Sequence, residues 1–401
     1  MLLQKVKLKN FKSFYNLELQ LNSFSVFLGA NGSGKSNFVD SLKFMKESLN
    51  NNVSYAVGNR FGWKNLLSKG KKSMEKLELE FDFNLEHINF EVNEKEFEPI
   101  SSNYLLTLRN IKNITFVNEE ELKTNFILNN EKLRTTFNRN KRKVNVINDI
   151  AELSPTDIKK ETLTLNGRTD NKLFLDANFV SIANLFLSDT IKNWRFYNID
   201  HNLARKPSNS ENDMYLNEDG SNLALILHTL QHSKNKDIKK RIENLMKLII
   251  PSFSTWKVER QFDASLGYKI MENDNKNDFL PKMISDGTIR LLSTLVALLY
   301  QENETKLIAV DEPERGLHPQ SLQTLVEVMR ETSKHKQIIV TTHSPEIVKW
   351  LKPNEIYLVD KIDGQTKIIH GSDIDNINSF LDEFTFDELW LSGYIKGGSI
   401  R

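Results

Sequence analysis

The sequence predicts an α/β fold: a mainly parallel core sheet, an antiparallel β-rich lobe and a helical insertion. Three observations predict it. A short apolar strand, Phe24–Leu28, runs into Gly29-Ala30-Asn31-Gly32-Ser33-Gly34-Lys35-Ser36, and Phe38, Val39, Leu42 and Met45 follow at helical spacing. From Pro281 onward apolar strands alternate with helices, the pattern of parallel strands joined by crossovers. Leu77-Glu78-Leu79-Glu80-Phe81-Asp82-Phe83 alternates strictly, as a strand with one wet face does.

In chain order, residues 1–28 read as two half-exposed strands and then the buried one. Val6 and Leu8 alternate with lysines, and Leu17, Leu19 and Leu21 alternate with Glu18 and Gln20. The turn between them is Asn10-Phe11-Lys12-Ser13-Phe14. Residues 34–50 form the helix after the glycine loop. Residues 51–75, with Gly58, Gly62 and Gly70, read as a surface loop. Short strands follow near Tyr104–Arg109, Ile114–Val117 and Thr135–Val146, and residues 150–180 carry no readable pattern. Ser181–Asp189 reads as helix, Trp194–Ile199 as strand, Lys206–Asp213 as a polar loop, and Asn222–Leu230 and Asp237–Ile250 as helices. A helix from about Asp286 to Gln301 precedes strand Lys306–Val310. Helix Pro319–Lys334 leads to strand Gln337–Thr342, and helix Pro345–Leu351 to strand Glu355–Asp360. The expected organisation is one composite domain over 1–401. Residues 1–150 form an N-terminal lobe, 151–280 a helical insertion region and 281–401 a C-terminal lobe.

The 54 basic and 53 acidic residues nearly cancel, so any nucleic-acid footprint must be local. Lys132, Arg134, Arg139, Lys141, Arg142 and Lys143 fall within 132–148 with no acidic residue among them, read as a solvated hairpin in preference to a DNA contact. There is no cysteine, which excludes disulfides, thiolate metal sites and a cysteine nucleophile. With neither a signal-peptide run nor a stretch of about 18 apolar residues, the expectation is a cytoplasmic protein with no membrane partner.

Four pieces carry chemistry. The first is the loop, which fits G-x-x-x-x-G-K-[ST]. Its backbone N–H groups and the following helix N-terminus suit phosphate oxygens, with Asn31, Gly32, Ser33 and Gly34 forming the cradle. Lys35 would reach the β- and γ-phosphates of a nucleotide, and Ser36 would give its hydroxyl to Mg²⁺. The second is Asp311-Glu312 at the end of an apolar strand. Alone, such a pair marks a turn. With a phosphate loop upstream, Asp311 reads as the metal-side carboxylate and Glu312 as the general base for water. The third is Ser285-Asp286-Gly287 opening a helix, 26 residues before Asp311 (311 − 285). A second helix N-terminus for anions is needed when two subunits sandwich one nucleotide; by itself it is an N-capped helix. The fourth is His343 after the next strand, placed to touch γ-phosphate or water.

In that order, the four pieces resemble those of ABC-class ATPases, most closely the head-domain group of RecF, the SMC proteins and the OLD-family ATPases. The Asn10–Phe14 turn is similar to their N-terminal strand-turn. Asp311-Glu312-Pro313-Glu314-Arg315-Gly316-Leu317-His318-Pro319 is similar to the Asp-Glu-Pro-Glu…Leu-His-Pro run of that group. The 215–223 and 386–394 stretches resemble a stand-alone bacterial branch of predicted ATPases. The resemblance implies ATP and Mg²⁺ as cofactors and a homodimer or higher homo-oligomer formed around ATP. In that dimer Ser285 and Gly287 of one subunit contact the γ-phosphate held by Lys35 of the other, and His343 is the switch histidine. It also implies an ATP-driven sensor or switch in prokaryotic antiviral defence, with a separate nuclease or toxin as effector. Two alternatives stay open: a RecF- or SMC-like ATPase acting on DNA, and a non-hydrolysing ATP-dependent scaffold. There is one departure. Between the phosphate loop and Ser285 the glutamines are Gln231 and Gln261, and neither reads as the strand-end glutamine that these ATPases use near Mg²⁺.

Overall fold

The computed structural model describes the chain apart from residues 1, 71–74, 86–89, 93–94, 129–130, 141–142, 149–159, 165–170, 177–181, 210–212, 235, 274–277, 375–376, 378–385, 393–394, 397–398 and 401. The chain divides into two units. One comprises residues 1–22, 30–194 and 358–369, the other residues 23–29, 195–357 and 370–401.

The first unit is built on an antiparallel sheet. Its strands are β1 (Leu2–Phe11), β2 (Phe14–Gln20), β4 (Leu77–Asn84), β5 (Phe90–Val92), β6 (Lys95–Ile111), β7 (Ile114–Leu128), β8 (Glu131–Asn140), β9 (Lys143–Asn148) and β10 (Lys160–Thr164). Their order is β10-β9-β8-β7-β6-β4-β1-β2, with β5 on β6. Period-two alternation sets the register: Val6 pairs with Phe81 and Phe81 with Tyr104, while Leu8 pairs with Leu79 and Leu79 with Leu106. These six residues are all buried, so one face is core and the other wet. The unit's helices are α1 (Lys35–Asn50), α2 (Val53–Gly58), α3 (Trp63–Leu66) and α4 (Ile182–Lys192), and β18 (Gln365–His370) begins here. Phe44 of α1 meets Phe11 edge-on, and Trp194 packs on Phe81 and Phe83.

The second unit holds parallel strands β3 (Phe24–Leu28), β11 (Arg195–Tyr197), β15 (Leu307–Asp311) and β16 (Gln337–Thr342), ordered β11-β15-β16-β3; β17 (Ile356–Ile362) begins beside β3. Every residue of β3 and β16 is buried, which explains why Val26-Phe27-Leu28 and Ile338-Ile339-Val340 run together and do not alternate with exposed polar residues. The registers Tyr197 to Val310, Asp311 to Thr341 and Leu28 to Thr342 bring the carboxyl ends of all four strands to one edge. Around them lie α5 (His201–Ala204), α6 (Leu223–His232), α7 (Asp237–Ile249), α8 (Asp286–Leu299), α9 (Pro319–Thr332), α10 (Pro345–Val348) and α11 (Phe386–Leu391). A small antiparallel sheet of β12 (Phe253–Arg260), β13 (Leu266–Glu272) and β14 (Asp278–Phe279), and a pair β19 (Ile395–Lys396) and β20 (Ser399–Ile400), also belong to this unit.

Four local expectations change. Residues 51–75 contain helices, not loop alone. Asn52 caps α2 by accepting from Tyr55 N–H at 2.9 Å, and Val53, Ala56 and Val57 are buried. The expected strand Thr135–Val146 is the two strands β8 and β9. The strands read at Tyr104–Arg109 and Ile114–Val117 extend to 17 and 15 residues as β6 and β7. Register shifts at Pro99/Ser101 and Thr107/Leu108 break the period that would have revealed their length. The same cause hides β12, where the register shifts between Phe253 and Thr255.

Candidate functional site

The phosphate loop leaves the carboxyl end of β3, and in the first unit it opens α1. Gly32 has φ 77° with open space where a Cβ would stand. Gly34, at the helix N-cap, has φ 118°, and a Cβ there would lie 2.1 Å from Thr366 Oγ1. Both positions require glycine, the first for its conformation and the second also for room. Lys35 is buried and its Nζ donates to Ala30 O at 3.0 Å, while Ser36 is exposed at the helix start. Ser33 Oγ is buried with no protein partner. An open-sided glycine turn, an orphaned hydroxyl, a lysine and a helix N-terminus with no acidic residue in its first turn fit a polyphosphate.

A brace holds this loop from behind. Thr366 Oγ1 donates to Ser33 O at 2.6 Å and lies 2.7 Å from Ser13 Oγ, while Thr366 N–H donates to Ser13 O at 2.9 Å. Asn37 Nδ2 also donates to Ser13 Oγ, at 2.8 Å. The Asn10–Phe14 turn thus has a physical task. Asn10 and Lys12 take left-handed φ values of 60° and 47°, Lys12 Nζ pairs with Asp40 of α1 at 2.6 Å, and Ser13 holds the loop brace. Arg60 binds Asp40 and Glu47, fixing the same helix.

The second unit carries the acidic strand end. Asp311 closes β15, half-buried, with Oδ1 accepting from Thr341 Oγ1. Glu312 follows in a left-handed conformation, φ 46°, anchored by its N–H to Thr341 O at 2.9 Å. A non-glycine residue held there stores strain of order 1–3 kcal/mol, the kind of cost that clusters at working sites. Glu312 Oε1 lies 2.5 Å from His343 Nδ1, and Oε2 lies 3.9 Å from Arg315 Nη1. The structure therefore brings Glu312 and His343 together, a carboxylate oriented by an imidazole on the adjacent strand end. Asp311 beside this pair offers one carboxylate of the kind Mg²⁺ takes, while the described residues hold no cluster of three or more His, Asp or Glu groups able to bind a metal.

The Ser285 helix start belongs to the same unit. Ser285 is exposed, its Oγ accepting from Thr288 N–H at 3.1 Å. Asp286 binds Arg205 at 2.6 Å and His201 at 3.3 Å, and the Arg205 hydrogen bond holds its carboxyl below the usual range. Arg205 also donates to Pro281 O and Ile284 O, clamping the segment before the helix. Gly287 is buried, and a Cβ there would lie 2.0 Å from Gly316 O. Close packing within the chain is thus already a reason for glycine at 287.

Gln231 and Gln261 are spent elsewhere. Gln231 Oε1 accepts from Val258 N–H at 2.9 Å, and Gln261 bonds Ser265. The residue following β11, next to the Asp311 edge in register, is Asn198. The basic run also changes meaning. Arg139 is 1% exposed and binds Lys172 O at 2.7 Å and Glu120 at 3.5 Å, while Arg134 donates to Asn125. Lys141 and Arg142 lie outside the described residues. Thr366, Thr341, Thr342 and Arg205 escaped the sequence reading because their partners are remote in the chain. The doublet Thr341-Thr342 before His343 was the one visible signal.

The protein-family model described as "AAA domain, putative AbiEii toxin, Type IV TA system" matches residues 24–349. The chain belongs to this family. It is 24% identical over 390 residues to "Retron Ec83 probable ATPase" of Escherichia coli, covering 88% of this chain and 70% of that protein. It is 22% identical over 400 residues to "Retron Vc95 probable ATPase" of Vibrio cholerae serotype O1 biovar El Tor, covering 92% and 75%. Among solved structures, an Smc head bound to the C-winged helix domain of ScpA superposes with TM-score 0.55 at 15% identity, covering 92% of this chain and 97% of that one. The fold is therefore that of ABC-type ATPase heads. No helix among the described residues is long and apolar enough to cross a membrane.

Proposed function

We propose that this AAA-domain protein binds and hydrolyses ATP, and that ATP drives two copies together as a switch acting on a separate effector in antiviral defence. One observation carries the reading. The strand edge from which β3 delivers the phosphate loop also carries Asp311, Glu312 and His343. Ligands of open parallel sheets bind at such carboxyl ends. Asn31, Gly32, Ser33, Gly34 and Lys35 cradle the phosphates. Ser36 and Asp311 would hold Mg²⁺, which when bound neutralises phosphate charge. Glu312 takes the proton of water as its Oε1 rests on His343, and the imidazole keeps the carboxylate aimed. Ser285 and Gly287 face the phosphates bound by a second copy, and Asn198 stands in for the missing glutamine. The retron names of two relatives support the defence role. The burial of Arg139 weighs against the DNA-directed alternative.

Phosphate release and fluorescent-nucleotide binding test the reading. Lys35→Ala abolishes binding. Glu312→Gln keeps binding and cuts release by about 10²-fold or more. Ser285→Arg keeps binding but loses release and ATP-dependent mass. Wild-type binding that survives Lys35→Ala unchanged overturns the assignment.

A further inference from the structure

Each group at the strand edge has a task above except Glu314. It is 6% exposed, although it follows Asp311, Glu312 and Pro313 by a single turn. One carboxyl oxygen bonds Thr342 Oγ1; the other is buried with no protein partner. Burial pushes this carboxyl up to about 7, with the Thr342 hydrogen bond acting against it. Glu312 and His343 are the titratable groups facing it.

Thr342, fully buried, is a junction. Its carbonyl accepts Gly29 N–H at 3.3 Å, where the phosphate loop begins. Its Oγ1 accepts Ser344 N–H at 3.0 Å, which fixes the turn that carries His343. On the other side, Glu314 O accepts Leu317 N–H at 3.0 Å and closes the turn that presents Gly316. Gly316 takes φ 81°, and its carbonyl fills the space against Gly287 in the first turn of α8. A continuous series of packed and bonded groups therefore runs from Gly29 to the helix that starts at Ser285. Glu314 is its central side chain and its one ionisable link.

We propose that Glu314 is a positioning residue that couples the phosphate-loop end of the sheet to the Ser285 helix through Thr342 on one side and Gly316 on the other. The proposal rests on the ATPase reading. Nucleotide arriving at the loop is felt through Gly29 and Thr342, and the 314–317 turn passes the adjustment to Gly287. A carboxyl or a carboxamide can hold Thr342 Oγ1. An alanine leaves the Thr342 hydroxyl proton without its acceptor and the turn free to shift, although Lys35 and the loop glycines stay in place.

The test compares wild type, Glu314→Gln, Glu314→Ala and Thr342→Val. The readouts are fluorescent ATP binding, ATP-dependent mass by light scattering, phosphate release and thermal unfolding. Glu314→Ala and Thr342→Val should bind nucleotide like wild type. They should require about tenfold more protein for the ATP-dependent mass increase and lose about tenfold in turnover, the size of a typical coupling. Glu314→Gln should restore both. If Glu314→Ala fails to fold, Thr342→Val, which preserves volume, carries the assembly part of the test, since it also removes the acceptor of Ser344 N–H beside His343. Unchanged assembly and turnover in Glu314→Ala or Thr342→Val overturns the coupling. So does equal loss of binding and assembly without rescue by Glu314→Gln, which marks a merely structural residue. If wild type itself neither binds ATP nor gains mass, the ATPase reading has failed, and the coupling with it.

Discussion

Glu120, in the antiparallel lobe, and Glu314, at the parallel strand edge, are both buried carboxylic acids with opposite surroundings. Glu120 accepts from Tyr104 O–H at 2.9 Å, from Phe174 N–H at 2.9 Å and from Leu175 N–H at 2.8 Å, and pairs with Arg139 at 3.5 Å. Burial pushes its carboxyl up, opposed by all four partners. Donors enclose the carboxyl on every side, and the cluster ties the 174–176 turn to β7. Glu314 has one partner and one unpaired oxygen. Complete satisfaction marks a group that holds a lobe together. Glu314, beside a strained Glu312, lacks that enclosure, and its coupling role is the one proposed above.

The comparison can be broken most forcefully at Arg139. Arg139→Met leaves Glu120 buried without its cation and should cost about 3–5 kcal/mol in denaturant unfolding. A loss below about 1 kcal/mol would place the pair with weak surface bridges and end the contrast. The Glu314 side is sharpened by pH. Its folded value of about 7 lies above the ordinary 4.5, so the folded state holds the proton more tightly. That contribution is fully present below 4.5 and is lost as pH rises through about 7, a swing of about 3 kcal/mol. Melting temperatures of wild type relative to Glu314→Gln should fall across that window, and a flat difference would contradict the buried-acid description.

A smaller effect is expected at the loop brace. Thr366→Val removes the donor to Ser33 O and should cost about 1–2 kcal/mol of stability, with nucleotide affinity falling alongside. Unchanged affinity would reduce the brace to packing.

These contrasts also mark how much the sequence revealed. The glycine loop, the Asp311-Glu312 strand end and His343 were legible, because each lies in a short contiguous pattern delivered by a buried strand. The parallel strands were legible within a residue or two for the same reason. The lengths of the β-lobe strands are not legible, because bulges in β6 and β7 interrupt their alternation. Arg139 looked like one more exposed cation, since nothing local announces that Glu120 and the carbonyl of Lys172 will enclose it. Thr366 braces Ser33 from 333 residues away, beyond the reach of any pattern.

The most direct measurement is molecular mass by light scattering with and without ATP and Mg²⁺, on wild type and Glu312→Gln, with phosphate release followed in parallel. The account predicts an ATP-dependent mass increase that persists in Glu312→Gln while release stops. An unchanged mass in both proteins, with release unaffected by Glu312→Gln, would contradict it.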